Sequence, residues 1–181
     1  MTTILKRAAI ALAAVAVTLP AVAAAPADAA TTKQWAGSYR FSIHGSQKTG
    51  TSLAATQREA NQSAVFRMSS TCTTAAGCNA VATGPAPSNP TVPTPPKYKW
   101  NGTSWVNTFS WQWDCYQGAG VPKVWAPAQS TMTYTPNRDG MFRGVWQTTI
   151  ASGPCAGTVT MPISAVATVG FRRFLDGIQA G

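Results

Sequence analysis

Apolar and polar residues alternate at every second position along most of the chain, a period typical of β-strands with one buried face. The first such run spans residues 35–45, where Tyr39, Phe41 and Ile43 are separated by polar residues. Further runs occupy residues 63–72, 78–84, 97–115, 131–150 and 157–170. The pattern predicts an all-β antiparallel meander of seven to eight strands. Closure hides the sheet edges, so we expect a barrel-like fold, with a β-sandwich as the alternative.

Three features depart from simple alternation. Residues 48–62 are polar and rich in alanine, which predicts a short helix near residues 53–60. Residues 84–97 are rich in proline, which has no backbone N–H to give to a central strand, so an extended surface loop is expected there. Pro162 lies on the polar side of the last run and predicts an edge position for that strand.

The segment 97–115, KYKWNGTSWVNTFSWQWDC, contains six aromatic residues. Its Asn101–Gly102 pair favours a two-residue type I′ hairpin turn, because both central positions of that turn need positive φ. Such a turn places Tyr98 opposite Trp105. It likewise places Trp100 opposite Thr103. Strand alternation then puts all six rings on one face. The rings of this face belong to Tyr98, Trp100, Trp105, Phe109, Trp111 and Trp113.

The aromatic face is either part of the core or a surface on which a ligand stacks. Cys115 belongs to the same face and is expected to form a disulfide, which favours an inward orientation. A partly exposed aromatic platform is the alternative. The residues predicted to contact a ligand on this face are Tyr98, Trp100, Trp105, Trp111 and Trp113.

Residues 1–29 have the pattern of a secretory signal peptide. Two basic residues, Lys6 and Arg7, precede an apolar run, and an A-x-A cleavage site ends at Ala29. We therefore expect residues 30–181 to form a single exported β domain, secreted or associated with the cell wall. No transmembrane segment is expected after cleavage of the signal peptide.

All four cysteines lie in the exported part of the chain. An even count in an oxidising compartment predicts two disulfides, for which three connectivities exist. The pairs Cys72–Cys78 and Cys115–Cys155 are favoured, because CTTAAGC has the form of a short loop closed at its base. The C-x5-C spacing and the export signal both argue against a zinc site.

Removal of the signal peptide leaves twelve Lys and Arg residues against four acids, a net charge of +8. The basic residues are scattered along the sequence, so no nucleic-acid-binding stripe is indicated. The charge is compatible with attraction to an anionic envelope polymer, and equally with a role in solubility alone.

Few residues are available for catalysis. His44 is the only histidine, and no G-x-S-x-G motif accompanies it, so a hydrolase would have to recruit it with an unmarked serine. A glycosidase needs two carboxylates, and Glu59 and Asp114 are the two that neither a turn nor the C-terminal tail explains. No metal-ligand cluster is evident, so neither a metal nor another cofactor is expected.

A set of ordered motifs resembles a group of exported mycobacterial and related actinobacterial proteins. The motifs are STC…GCNAVAT, YKWNGTSW, WDC, TYTPNRDGMFRGVW and CAGTVTMPISAVATVG, which together span residues 35–170. Similar domains form the extracellular part of some receptor-type serine/threonine kinases and also occur as lipoproteins. The resemblance implies a disulfide-bonded β domain of the cell envelope and implies no reaction. The proline-rich loop and the expected absence of a membrane tether depart from that group.

These observations predict a non-catalytic, exported binding domain whose ligand is unknown. One alternative is a carbohydrate-binding module that stacks a glycan on exposed tryptophans. A second is a barrel that carries a small apolar ligand in its lumen. A protease inhibitor would need an exposed reactive loop, for which residues 119–129 are the candidate, and a weak hydrolase would depend on His44.

Overall fold

Nine strands form one antiparallel sheet in the computed structural model, which describes residues 34–168. The strands are β1 (Gly37–Ile43), β2 (Thr49–Gly50), β3 (Gln62–Thr73), β4 (Gly77–Thr83), β5 (Lys97–Trp100), β6 (Trp105–Cys115), β7 (Val124–Pro136), β8 (Phe142–Ile150) and β9 (Gly157–Ala167). A short helix α1 (Leu53–Thr56) and a 3-10 turn (Gly45–Gln47) lie between β1 and β3.

Eight of these strands close into a barrel. Neighbours follow the order β1, β3, β4, β5, β6, β7, β8, β9, and β9 pairs back with β1 from Ile43–Ile163 to Tyr39–Ala167. The short strand β2 pairs with β9 beyond the end of β1. The predicted all-β meander and its barrel closure are confirmed. The strands are staggered: a path from residue to paired residue once around the barrel returns to β1 about ten residues from its start. This stagger tilts the strands and widens the interior.

The predicted helix is shorter than expected. α1 spans Leu53–Thr56, and the hydroxyl of Ser52 caps it by accepting a hydrogen bond from the Ala54 N–H at 3.1 Å. Residues 57–61 connect α1 to β3 without regular structure.

The predicted edge position of Pro162 is wrong. β9 has neighbours on both sides, and Pro162 lies opposite Val145 of β8. On the other side, β1 pairing ends at Ile163 and β2 pairing starts at Thr160, so Pro162 occupies the junction between these two partners. The Pro162 carbonyl accepts a hydrogen bond from the His44 N–H at 3.0 Å. The nitrogen and the carbonyl of a strand residue point to the same side, so the Pro162 nitrogen also faces this junction. No backbone N–H is needed there to pair with a neighbouring strand.

The predicted register of the β5–β6 hairpin is also wrong. Trp100 pairs with Trp105, and a four-residue turn replaces the two-residue type I′ turn. Asn101 keeps a negative φ, and its Oδ1 accepts from the Thr103 N–H at 3.1 Å and the Ser104 N–H at 2.8 Å. This side-chain-stabilised turn needs positive φ only at Gly102. Because the register differs by two residues, the rings remain on the predicted common face.

The predicted run at residues 131–150 forms the β7–β8 hairpin, whose turn follows the Pro136–Phe142 pair. Asn137 donates its N–H to the Met141 carbonyl at 2.8 Å, and Gly140 has a φ of 76°. Strand β7, however, starts at Val124, seven residues before the predicted strand. Residues 124–129 of the candidate reactive loop are therefore paired with β6 along the barrel wall.

Both predicted disulfides are confirmed. Cys72–Cys78 closes the β3–β4 hairpin, and Cys115–Cys155 joins the end of β6 to the β8–β9 connection. No free cysteine remains in residues 34–168. Because Cys115 and Cys155 are fully buried, the second bridge belongs to the core.

The barrel interior contains two hydrophobic clusters. The first is aromatic and is centred on Trp35, which precedes β1 and is fully buried. Its ring lies 4.7 Å from that of Phe142 and 5.2 Å from that of Tyr98. The second cluster surrounds the Cys115–Cys155 disulfide at the opposite end. Ile43 and Trp146 contact both clusters, so they mark the middle of the barrel.

The predicted signal peptide and the amphipathic C-terminal tail lie outside the described residues. Among residues 34–168, no helix is long and apolar enough to cross a membrane.

Candidate ligand-binding cavity

A cavity of about 820 Å³ lies on the interior face of the barrel between the two clusters. Large apolar side chains line its wall: Ile43, Phe66, Phe109, Trp111, Trp113, Met132 and Trp146. The rings of Trp111 and Trp113 are 5.4 Å apart, and that of Trp146 is 6.1 Å from Trp111. The cavity is within the size range of small-molecule sites in proteins.

The cavity exists because neighbouring strands differ in length. β5 has four residues and β6 has eleven, so they share only the pairs Lys99–Val106 and Trp100–Trp105. From Asn107 onward, β6 has no strand partner in the described part of the chain on the side of β5. The predicted proline-rich loop crosses this side of β6, and its residues Val92, Pro93 and Pro96 line the cavity.

Three hydrogen bonds attach the proline-rich loop to β6 at a single residue, Gln112. The Asn89 Nδ2 donates to the Gln112 carbonyl at 2.9 Å, and the Gln112 N–H donates to the Thr91 hydroxyl at 3.0 Å. The Thr91 hydroxyl also lies 3.3 Å from the same carbonyl. Without the loop, the N–H and carbonyl of Gln112 would have no hydrogen-bond partner on this side of β6. The loop therefore takes the place of the missing part of β5.

The fold separates the five aromatic residues that the sequence predicted as ligand contacts. Tyr98, Trp111 and Trp113 line the cavity. Trp105 is fully buried in the first cluster, and Trp100 packs edge-on against it at 5.5 Å. Their rings all face the interior, which disfavours an exposed platform as the arrangement of this segment.

Several cavity residues were not predicted. Phe66 from β3, Met132 from β7 and Trp146 from β8 reach the cavity through pairings between distant strands. Met132 and Trp146 belong to the predicted run at residues 131–150. The alternation pattern could not show which level of the barrel each side chain occupies, because that depends on register.

Some polar groups inside the barrel are paired with each other and others are not. The indole N–H of Trp111 donates to the Ser130 hydroxyl at 2.8 Å, and this hydroxyl is 2.7 Å from that of Thr148. Four buried indole N–H groups have no hydrogen-bond partner among the described residues: those of Trp35, Trp100, Trp105 and Trp146. Of these four, the N–H of Trp146 is the one whose residue lines the cavity.

The tyrosines at the inner end of the cavity are neutral. Burial raises the pKa of Tyr98 well above its usual value. Burial also raises the pKa of Tyr134, and the neighbouring Tyr98 adds to this shift. The inner wall of the cavity therefore carries no charge at physiological pH.

Five charged residues also line the cavity: Lys48, Arg58, Glu59, Asp114 and Lys123. The Lys48 Nζ lies 2.8 Å from a Glu59 carboxylate oxygen, and the Lys48 side chain is only 6% exposed. Lys123 and Asp114 form a second ion pair of 2.6 Å. Glu59 and Asp114, the two carboxylates available to a glycosidase in the sequence, are thus each engaged by a lysine.

The other candidate for chemistry, His44, lies just after β1. Its Nε2 is 3.5 Å from the Ser164 hydroxyl, at the outer limit of a hydrogen bond. Within residues 34–168, no three His, Cys, Asp or Glu side chains come together as a metal-binding group would require.

The fold and its bridges define the chain as a disulfide-bonded, closed antiparallel β-barrel domain with an interior cavity. Residues 32–170 match the PknI serine/threonine-protein kinase sensor domain, and the chain belongs to this family. The family resemblance expected from the sequence motifs is confirmed, and it indicates a sensing or binding role. A comparison with curated protein sequences finds no significant match.

A solved structure of this family shares the fold. The monomer form of the M. tuberculosis PknI sensor domain is 18% identical, with a TM-score of 0.55, over 75% of this chain and 88% of that chain. The dimer form of the same domain is 16% identical, with a TM-score of 0.49, over 64% of this chain and 82% of that chain. At this identity, the first similarity concerns the architecture alone.

Proposed function

We propose that the chain is an exported, non-catalytic sensor-type domain that binds one small, mainly apolar molecule in the cavity. The observation that carries this proposal is the aromatic-lined space of about 820 Å³ inside a barrel of a sensor-domain family. The lining presents a large apolar surface to the cavity. An apolar ligand would remove this surface from water, which favours binding.

The lining also indicates the chemistry of the ligand. Aromatic and aliphatic side chains dominate the inner wall, and its tyrosines are neutral, so an apolar body suits this part of the cavity. The unpartnered Trp146 N–H suits a ligand that carries one hydrogen-bond acceptor. A polar end of the ligand would lie near Lys48 and Lys123, which also line the cavity.

Two alternatives from the sequence have less support. A module that stacks a glycan on tryptophans needs these rings exposed on the surface, whereas the rings of β6 face the interior. An inhibitory reactive loop needs a flexible exposed segment, whereas residues 124–129 belong to β7. The remaining loop segment 119–123 is short, and the Asp114–Lys123 ion pair restrains its end.

The test is to fill the cavity from the barrel wall. Ala64 lines the cavity opposite Phe41, while its neighbour Val65 points outward and is 44% exposed. We expect Ala64→Phe to weaken binding of the apolar probe N-phenyl-1-naphthylamine at least tenfold, and Val65→Phe, the matched control, to leave it unchanged. Binding is measured by the increase in probe fluorescence, and far-UV circular dichroism checks the folding of both variants.

The acceptor requirement has its own test. We expect 2-acetylnaphthalene, which has a carbonyl acceptor, to bind about fivefold more tightly than 2-ethylnaphthalene of similar shape. Trp146→Phe keeps an aromatic ring and removes the N–H, so this preference should disappear. A folded Ala64→Phe variant that binds N-phenyl-1-naphthylamine as well as the unmodified domain would exclude the cavity as the site.

A further inference from the structure

Four basic side chains that are scattered along the sequence are brought to one outer surface of the barrel. Arg40 lies on β1, Arg67 on β3, and Lys97 and Lys99 on β5, and all four are exposed. We propose that these four residues, here called the basic band, bind an acidic polysaccharide. This site lies on the outer side of the barrel wall and is independent of the proposed cavity ligand.

The strand register places the basic band along a diagonal. Arg40 pairs with Val65, one side-chain level below Arg67 on the same face of β3. Lys97 pairs with Val81, which itself pairs with Ser69, one level above Arg67. With strands about 4.8 Å apart and levels about 6.7 Å apart, consecutive members are separated by about 7 to 12 Å. The whole band is roughly 25 Å long, a shape suited to a linear polymer.

No acidic residue neutralises the basic band within the described part of the chain. The strands β1, β3, β4 and β5 contain no Asp or Glu. The three acids of residues 34–168 are all engaged elsewhere, as the pairs Lys48–Glu59, Lys123–Asp114 and Arg143–Asp139. Four positive charges without partners therefore create a local field that attracts a polyanion.

The surroundings of the basic band favour a carbohydrate as the polyanion. Small hydroxyl and amide side chains surround it, as at Ser69, Thr71 and Asn79, and they can hydrogen-bond to sugar hydroxyls. The outward positions of these strands carry no aromatic ring for stacking on nucleic-acid bases. Their apolar side chains are the valines Val65 and Val81, without the Leu, Phe or Trp that a helix or loop inserting into a membrane surface presents.

The experiment measures binding of polygalacturonate to the oxidised domain by isothermal titration calorimetry at low salt. We expect Lys97→Gln/Lys99→Gln and Arg40→Gln/Arg67→Gln each to weaken binding about fivefold or more, because a linear ligand contacts both halves of the basic band. The control Arg58→Gln/Arg138→Gln removes the same charge from residues outside these strands and should weaken binding less than twofold. Methyl-esterified polygalacturonate, which lacks the charges, should bind to none of the proteins.

An equal loss of affinity in the control and in the two band variants would overturn the proposal, since only net charge would then matter. Tighter binding to single-stranded DNA, or to vesicles containing phosphatidylglycerol, than to polygalacturonate under the same conditions would overturn the choice of a carbohydrate. A galacturonate dimer should bind at least tenfold more weakly than the polymer, because it cannot reach both pairs of basic residues. Equal binding of the dimer would exclude the linear site.

Discussion

The two disulfides should contribute unequally to stability. We consider Cys115→Ala/Cys155→Ala beside the matched pair Cys72→Ala/Cys78→Ala, because both remove one bridge and leave the other. Cys115–Cys155 spans 40 residues of sequence, whereas Cys72–Cys78 spans 6. On the chain-entropy model, loss of the longer bridge costs about 4 kcal/mol of unfolding free energy, and loss of the shorter one costs about 2 kcal/mol.

Burial increases this difference. Cys115 and Cys155 are fully buried among Ala126, Ile150 and Val159, so removal of their sulfur atoms also leaves a void in the second cluster. The Cys72–Cys78 bridge lies at the end of a hairpin, where Cys72 is exposed. We therefore expect the buried bridge to contribute at least 2 kcal/mol more than the exposed one.

Urea unfolding followed by tryptophan fluorescence under oxidising conditions gives both free energies. Cys115→Ala/Cys155→Ala should unfold at a lower urea concentration than Cys72→Ala/Cys78→Ala. For Cys72→Ala/Cys78→Ala, the dependence of the unfolding free energy on urea concentration should change little. Equal destabilisation by the two double substitutions, or a larger effect of removing Cys72–Cys78, would refute the argument from loop length and burial.

Three further predictions concern single residues. Trp35→Ala should lower the free energy of unfolding by about 3 to 5 kcal/mol, because the ring is fully buried. Trp125 is half-exposed at an outer position, so Trp125→Ala should lower it by less than about 1 kcal/mol. Urea unfolding of both variants measures this difference. Burial raises the pKa of Tyr98 and Tyr134, so above about pH 10 the unfolded state loses protons that the folded state keeps. Stability should then fall by up to about 1.4 kcal/mol per pH unit for each tyrosine, and an unfolding free energy that is the same at pH 9 and pH 11 would contradict this. Asn101→Ala should cost about 1 kcal/mol, because two turn N–H groups lose their acceptor, and thermal denaturation should show this cost as a shift of a few degrees.

Most strands could be predicted from the sequence because alternation is a local property. The runs that begin at Tyr39 and at Val159 are both strands in the structure, with the predicted residues facing inward. The inward aromatic face of β6 was predicted even though the turn beside it was not. A register error of two residues preserves the face, whereas an error of one residue would have turned every ring outward.

The errors have a common physical origin in contacts between distant parts of the chain. Pro162 suggested a strand edge, but β1 and β2 both end beside it and leave room for a residue without an N–H. The start of β7 at Val124 depends on pairing with Cys115, which a local pattern does not reveal. The signal peptide and the ligand contacts of Tyr98, Trp111 and Trp113 stay predictions.

The amino-acid sequence by itself determined the strand pattern, the Cys72–Cys78 pair and the common face of the rings, because these depend on periodicity and on short separations along the chain. The pair Cys115–Cys155, 40 residues apart, followed only because two cysteines were left. Only the tertiary structure decided that the short strand β5 leaves an opening beside β6, that the proline-rich loop covers it, and that a cavity forms behind it. Likewise, only the register joined Arg40, Arg67, Lys97 and Lys99 into one band. Strand length and register arise from closure of the whole barrel, so no single segment of the chain specifies them.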